Sequence, residues 1–292
     1  MPISPRLLLV VALGAILACT GGSTLGGGVL GGGTTGAPTG SQRTELALAL
    51  EDELDALVAA LTLAGPGAPP TFVIAGCPAV SASSDSDGDG IPDDQTLTYT
   101  DPPCTLAGFR GGIFGVTGTV RVQDTTPSDT VSYNLTLTDL AWTATDPATF
   151  RTFTATRNGI RSRTETDSSG VLATTMNVVR QRPNRANTTI DFTSVTEFVP
   201  DTAGSLRLGQ RLPNGKLTVA GSMHWVRSTE DWTITVTTPV PLTFDPICVG
   251  TPQLIRSGIL ALEGTINGAS GTLRLIFAAC GADPILTWTE AP

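Results

Sequence analysis

Carboxylates are concentrated in one short segment, from Ser83 to Asp94, which carries five aspartates in twelve residues. Three of them, Asp85, Asp87 and Asp89, alternate along the chain and are followed by Gly90. A loop that coils around a hard cation directs every second side chain inward, and calcium prefers oxygen ligands. Gly90 allows the sharp turn that such a loop needs. The spacing therefore predicts calcium binding, and the alternative is a solvated acidic turn without an ion.

This segment is similar to the first half of an EF-hand calcium loop, D-x-D-x-D-G. The stretch DSDGDGIPDD also resembles the thrombospondin type 3 calcium repeat, over about ten of the 292 residues. The resemblance implies that the Ile91 carbonyl and the Asp93 carboxylate join the three alternating aspartates as ligands. Thr96 stands where an EF-hand has its bidentate glutamate, so further ligands are expected from Asp94, Asp101 or water. The implied role of calcium is structural.

Arginines are also unevenly distributed, since seven of the sixteen lie between positions 151 and 185. Arg161 and Arg163 are two residues apart, so they share one face of a strand. They form a candidate anion patch for an acidic glycan or a lipid headgroup. The alternative is an ordinary solvated sheet face.

No pattern in the sequence predicts catalysis. The one histidine, His224, lies near Ser222, but the G-x-S-x-G turn of a serine hydrolase does not occur. The glutamates are scattered, without the pairing that glycoside hydrolysis needs. We therefore assign no catalytic residue and expect a protein that is not an enzyme.

Cysteine usage indicates an oxidising compartment. Besides Cys19, the chain has four cysteines, an even number that is typical of two disulfides in an exported protein. Three connectivities are open, and pairing of nearest neighbours is preferred because each bridge then closes a loop of about thirty residues, worth roughly 3–4 kcal/mol. Zinc is disfavoured, since the chain has no C-x-x-C motif and one histidine. The expected disulfides are Cys77–Cys104 and Cys248–Cys280.

The N-terminus has the features of an export signal. Arg6 precedes an apolar run from Leu7 to Ala18, which is shorter than the roughly twenty residues of a membrane-spanning helix. The residues before Cys19 resemble a bacterial lipobox, which implies cleavage after residue 18 and lipidation of Cys19. Thr20 follows where aspartate would imply retention at the inner membrane, so the resemblance implies an outer-membrane lipoprotein. The alternative is an ordinary signal peptide.

Residues 19–42 are rich in glycine, serine and threonine and predict a flexible tether. Residues 43–65 predict an amphipathic helix, with Ser41 as its cap and leucines at helical spacing. We expect this helix to pack on the protein's own sheet; the alternative is a helix that binds a partner or a membrane surface. The leucines are Leu46, Leu50, Leu54, Leu57 and Leu61.

Residues 66–292 predict a mainly β domain, because apolar and polar residues alternate along many segments. About eleven strands form an antiparallel meander, and a curved sheet, a sandwich and a barrel-like closure all remain open. A change of phase predicts a β-bulge near Asp139, and Asn158-Gly159 predicts a tight hairpin turn. Later strands are predicted at 171–180, 188–199, 216–227, 232–240, 254–266, 271–278 and 285–289.

The net charge of −9 argues against a nucleic-acid partner. The sequence thus predicts a non-catalytic lipoprotein of the bacterial cell envelope, with a structural or binding role and a calcium-stabilised loop. Its expected partners are a membrane, through the N-terminal lipid, and an anionic glycan or another envelope protein. A lipid or lipoprotein carrier with an apolar cavity under a curved sheet is the alternative, and a glycan hydrolase is less favoured.

Overall fold

The computed structural model describes residues 36–62, 78–107, 113–126, 132–145, 152–166, 168–183, 185–207, 212–248, 255–280 and 282–292. Within them the chain is mainly β, as predicted, with one helix. The elements are α1 (Gly40–Thr62), β1 (Ala79–Val80), β2 (Asp94–Ala107), β3 (Ile113–Asp124), β4 (Ser132–Thr145), β5 (Thr152–Glu165), β6 (Gly170–Gln181), β7 (Thr188–Pro200), β8 (Gly215–Arg227), β9 (Glu230–Phe244), β10 (Ile255–Ile266), β11 (Ala269–Phe277) and β12 (Ile285–Glu290).

The strands form one antiparallel sheet in which each strand pairs with its neighbours in sequence, from β1 to β12. The predicted meander is therefore confirmed, and no pairing joins β1 to β12 in the described part of the chain. Strand β7 illustrates why the alternation was informative: its side chains are buried and exposed in turn along nearly its whole length. Most strands have one dry face and one wet face, and the dry faces form the core.

Strand β2 was not predicted. It contains Pro102 and Pro103, and proline cannot donate a ladder hydrogen bond. The structure accommodates both residues at a register shift between Tyr99 and Cys104, where β2 pairs with β3. Because β1 covers only the Leu97–Thr98 part of β2, the prolines lie along a stretch with no described outer neighbour. Such positions tolerate proline.

The bulge predicted near Asp139 is confirmed, since the β4–β5 register shifts between Leu137 and Leu140 and Asp139 has φ 48°. The predicted hairpin at Asn158-Gly159 is wrong, because β5 runs through both residues. The Asn158 amide instead binds the bulge: its Oδ1 accepts from the Asp139 N–H at 2.7 Å, and its Nδ2 donates to Asp139 Oδ1 at 3.1 Å. A Cβ at Gly159 would lie 2.2 Å from the Thr175 carbonyl oxygen, so glycine is needed for close strand packing.

Helix α1 begins at Gly40, earlier than the predicted residue 43. Its cap is Thr39 rather than Ser41: the Gln42 N–H donates to Thr39 Oγ1 at 3.3 Å, and Gln42 Oε1 accepts from the Thr39 N–H at 2.9 Å. This reciprocal pair is a capping box. No helix in the described ranges is long and apolar enough to cross a membrane.

The leucine face of α1 packs on the dry face of the sheet, as predicted, with the described leucines at most 2% exposed. The helix contacts both β6 and β12. Buried residues of α1 form one hydrophobic cluster with buried residues of strands from β3 to β11. The sheet therefore curls around α1. The buried leucines are Leu46, Leu50, Leu54 and Leu57.

The curled sheet has two ends. At one, which we call the tether end, Gly36 forms a parallel bridge with Gly268 in the β10–β11 turn. The N-terminal part of α1 is held there, because the Gln42 side chain accepts from Asn267 Nδ2 at 2.8 Å. At the opposite end, the loop end, β2 begins at Asp94 directly after the acidic segment. The acidic loop therefore lies at the end of the sheet opposite to the bridge between Gly36 and Gly268.

Candidate functional site

The acidic segment is a defined loop fixed to the start of β2. The Asp93 N–H donates to the Ser84 carbonyl at 2.8 Å, and the Thr96 N–H donates to Ser81 Oγ at 2.8 Å. Gly88 and Gly90 have φ of 77° and 91°, conformations that other residues rarely adopt. The role predicted for Gly90 as a turn residue agrees with this geometry.

Asp85, Asp87 and Asp89 come together in this loop, with one carboxylate oxygen from each lying within 4.8 Å of the others. Backbone N–H groups hold the side chains in place. Asp85 Oδ1 accepts from Gly88 at 2.8 Å, and Asp89 Oδ1 accepts from Ile91 at 2.7 Å. The alternation of the three aspartates therefore does produce the convergence that the sequence pattern predicts.

Asp124, at the end of β3, is a nearby carboxylate that sequence analysis missed: its N–H donates to the Pro92 carbonyl of the loop at 3.3 Å. Asp89 Oδ2 and Asp124 Oδ2 are both buried and accept no hydrogen bond. Burial raises the pKa of Asp89, as do the nearby charges of Asp87, Asp124 and Asp85, while the hydrogen bond from the Ile91 N–H lowers it. Buried, unsatisfied carboxylate oxygens on an all-oxygen donor set fit a calcium ion, which would neutralise this crowding.

Two other aspartates of the loop have different partners. Asp93, predicted as a ligand, accepts hydrogen bonds from Ser84 Oγ at 2.6 Å and Ser86 Oγ at 2.9 Å, and these bonds lower its pKa. Asp94 accepts from Arg121 Nε at 2.8 Å, in a half-exposed ion pair. The Ile91 side chain is fully buried beneath the loop. The structure thus gathers Asp85, Asp87 and Asp89 and uses Asp93 to brace the loop.

The preferred disulfide between Cys248 and Cys280 is confirmed. It joins the segment after β9 to the segment after β11, at the loop end of the sheet. Both sulfurs are oxidised, so the neighbouring Asp245 does not complete a metal site with them. Cys104 is also disulfide-bonded. Cys77 and the lipidation candidate Cys19 lie outside the described residues, so the pairing Cys77–Cys104 stays a prediction.

Arg161 and Arg163 share one face of β5, as predicted, but the expectation that this face meets solvent is wrong. They are 5% and 1% exposed, on the dry face that α1 covers. Arg161 lies 3.2 Å from Glu53 of the helix, and Arg163 pairs with Glu165. Burial lowers the pKa of Arg161, although Glu53 opposes this effect. These two residues therefore belong to an internal ion-pair cluster, which includes Arg157 at 3.5 Å from Glu53.

His224 lies on the wet face of β8 between two aspartates. Its Nε2 is 2.7 Å from Asp231 Oδ1, and its Nδ1 is 3.7 Å from Asp191 Oδ2. Ser222 lies two residues earlier on the same face, opposite Thr193. With carboxylates at both ring nitrogens, this histidine is part of a polar row across the sheet.

The proximity of Asp124 was missed because nothing near it in sequence links it to the acidic loop. Only the β2–β3 register, which pairs Asp94 with Gln123, brings the end of β3 beside the acidic loop.

Comparison of the chain with protein-family models, curated proteins and solved structures finds no match to any of them.

Proposed function

We propose that this chain is a non-catalytic lipoprotein of a bacterial cell envelope, anchored through Cys19 to the outer membrane, with a structural or binding role. The observation that carries the location is the disulfide between Cys248 and Cys280, because disulfides persist in oxidising compartments outside the cytosol. The lipobox-like residues before Cys19 supply the anchor. Acyl chains bind membranes by burying about 0.8 kcal/mol per CH₂ group.

The packing of α1 favours a structural or binding role over a lipid carrier. A carrier needs an apolar cavity under its curved sheet, and here the leucine face of α1 fills that space. The interface also contains the buried Glu53 with Arg157 and Arg161. A buried ion-pair cluster resists separation because each charge would lose its partner. The helix therefore acts as part of the core.

The acidic loop binds calcium in this proposal, with Asp85, Asp87 and Asp89 as the converging carboxylate ligands. The ion would order the loop end and cancel the mutual repulsion of these groups. Dissociation constants of about 10⁻⁴–10⁻³ M are typical of extracellular calcium modules. A site of this strength is saturated only where calcium is abundant, as it is outside cells.

Fractionation of cells that express the full chain tests the anchor. The Cys19→Ala variant should move from the membrane to the soluble fraction, whereas the matched tether variant Ser23→Ala should stay with the membranes. Retention of Cys19→Ala in the membrane fraction would show that Cys19 does not anchor the chain.

Titration calorimetry and thermal melting test the calcium loop. Calcium should release or absorb heat and raise the melting temperature, and a chelator should reverse the rise, since a ligand that binds only the folded state stabilises it. If neither heat nor a melting shift is found, the loop is an acidic turn without an ion.

A further inference from the structure

A small cleft opens at the tether end, between the first half of α1 and the ends of β6 and β8. Four arginines line it, with Glu45 of the helix and Trp225 of β8. The arginines come from different elements, since two belong to β6 or follow it directly, one to the β6–β7 connection and one to β8. They are Arg180, Arg182, Arg185 and Arg227. In a protein of net charge −9 this is a local concentration of positive charge.

The carboxylate of Glu45 bridges two of the arginines that line this cleft. Its Oε1 accepts from Arg185, and its Oε2 accepts from Arg227. Glu45 is nearly buried, while 45% of the Arg185 side chain is exposed, so the cleft is open to solvent on that side. Arg227 also donates to Glu230 at 2.7 Å and lies 5.7 Å from the ring of Trp225. Two guanidinium groups thus bridge one oxyanion, an arrangement that equally suits a phosphate.

The free volume of the cleft is about 10 Å³, which is room for one water molecule at most. An incoming anion can therefore enter only by taking the place of the Glu45 carboxylate. We propose that this cleft binds a phosphate group through Arg185 and Arg227, and that Glu45 is an internal competitor for the site. Planar guanidinium groups bind phosphate through paired hydrogen bonds. The proposal names the ligand class for the binding role proposed above and rests on that role.

The position of the cleft relates it to the membrane. Glu230, on its rim, accepts from Gln42 Nε2 at 2.9 Å, and Gln42 in turn binds Asn267 beside the Gly36–Gly268 bridge. The cleft and the entry of the N-terminal segment therefore share one end of the sheet. A lipid headgroup of the anchoring membrane and a free phosphate ion both present the required chemistry.

The test uses the full chain carrying Cys19→Ala, so that no acyl anchor contributes to binding and a failed anchor leaves the result unaffected. Binding of inorganic phosphate is measured by calorimetry, with chloride at matched ionic strength as the reference. Binding to phosphatidylcholine vesicles with and without phosphatidic acid is measured by co-sedimentation. The variants are Glu45→Ala, which removes the competitor, Arg185→Ala, which removes a half-exposed ligand, and the control Arg256→Ala, an exposed arginine outside the cleft.

We expect Glu45→Ala to bind phosphate about tenfold or more tightly than the parent, because a competing charged hydrogen-bond partner is lost. Phosphate should also restore melting temperature to this variant. Arg185→Ala should lose binding and Arg256→Ala should keep it. A preference for phosphatidic acid vesicles identifies a lipid headgroup, and binding of free phosphate alone identifies a soluble ligand.

Two results would overturn the proposal. One is the absence of phosphate and vesicle binding in both the parent and Glu45→Ala. The other is binding that Arg185→Ala leaves unchanged. If Glu45→Ala does not fold, the comparison of the parent with Arg185→Ala decides alone, since Arg185 is half-exposed and its removal leaves the core intact.

Discussion

Charged side chains cluster in two regions of this molecule, and the regions differ in sign and in burial. At the interface between α1 and the sheet, Glu53 is buried and contacts two buried arginines, Arg157 and Arg161. In the acidic loop, the carboxylates of Asp85, Asp87 and Asp89 converge to within 4.8 Å of one another. The first region pairs opposite charges, and the second accumulates charge of one sign.

This difference separates a structural use of charge from a ligand-binding use. Removing the carboxylate from a buried cluster of paired charges takes away the partner of the remaining arginines and is strongly destabilising. Removing one member of an unbalanced cluster relieves repulsion and stabilises the protein unless a cation is bound. The two regions should therefore respond in opposite directions to the same kind of substitution.

The largest effect is expected for Glu53→Gln. The substitution removes the carboxylate that the buried Arg157 and Arg161 share, and breaking a buried ion pair in this way costs about 3–5 kcal/mol. Urea unfolding measures the loss. The matched control is Glu197→Gln on the wet face of β7, which should change the free energy of unfolding by less than about 0.5 kcal/mol. Equal losses of stability for both variants would mean that Glu53 does not stabilise the two buried arginines.

Removal of the disulfide with Cys248→Ser and Cys280→Ser should follow, with a loss of about 3–4 kcal/mol in the chain-entropy model for cysteines 32 residues apart. This bridge fixes the same end of the sheet as the acidic loop. Calcium should still stabilise this variant, since the acidic loop does not include either cysteine. Loss of the calcium response together with the disulfide would show that the loop depends on the bridge for its geometry.

A smaller effect of opposite sign is expected for Asp89→Asn. With chelator present, the folded state binds a proton at Asp89 more tightly than the unfolded chain does, because the pKa of Asp89 is raised. Ionised Asp89 therefore destabilises the folded state, so Asp89→Asn should be more stable than the parent at neutral pH, and this difference should shrink as the pH falls through the pKa of Asp89.

Thermal melting with and without calcium measures both parts of this prediction. Asp89→Asn should lose the calcium-induced shift, which at ten times the dissociation constant is worth about 1.4 kcal/mol in the parent. Asp283→Asn, an exposed control near β12, should keep the shift. Destabilisation of Asp89→Asn in chelator would contradict the description of the loop as a cluster of unbalanced charge.

The smallest effect is expected for Arg121→Ala, which breaks the pair with Asp94 beside the acidic loop. Both side chains are 48% exposed, and such pairs contribute about 0–1 kcal/mol. The loss should shrink as salt is added, because exposed charges are screened. A loss of stability that is large and independent of salt would mean that this pair behaves like the buried ion pairs of Glu53.

The fold was largely predictable because most strands are long and two-sided. The strand predicted at 188–199 is Thr188–Pro200 in the structure, since a period of two residues is a strong local signal. Strand β2 was not predictable in this way, because Pro102 and Pro103 interrupt the pattern. The hairpin at Asn158-Gly159 was wrong because Asn158 binds a neighbouring bulge and Gly159 allows close packing against β6, which are contacts between strands that local sequence does not contain.

The sites divide in the same way. The convergence of Asp85, Asp87 and Asp89 follows from spacing within one loop, so sequence was sufficient. The proximity of Asp124 to the acidic loop depends on strand register. The burial of Arg161 depends on the side of the sheet that α1 covers. The capping box of Thr39 and Gln42 has the sequence pattern T-x-x-Q and could have been predicted. The helix start was instead predicted from the spacing of the leucines, which placed it too late in the chain.

The bridge between Gly36 and Gly268 has a mechanical consequence. A pull on the N-terminal segment would load this single rung and the adjoining Gln42 contacts before it reached the leucine core. One backbone pair yields at a lower force than a ladder of strands sheared along its length. The first residues would then peel away while the curled sheet stayed intact, giving the attached domain extra slack under tension.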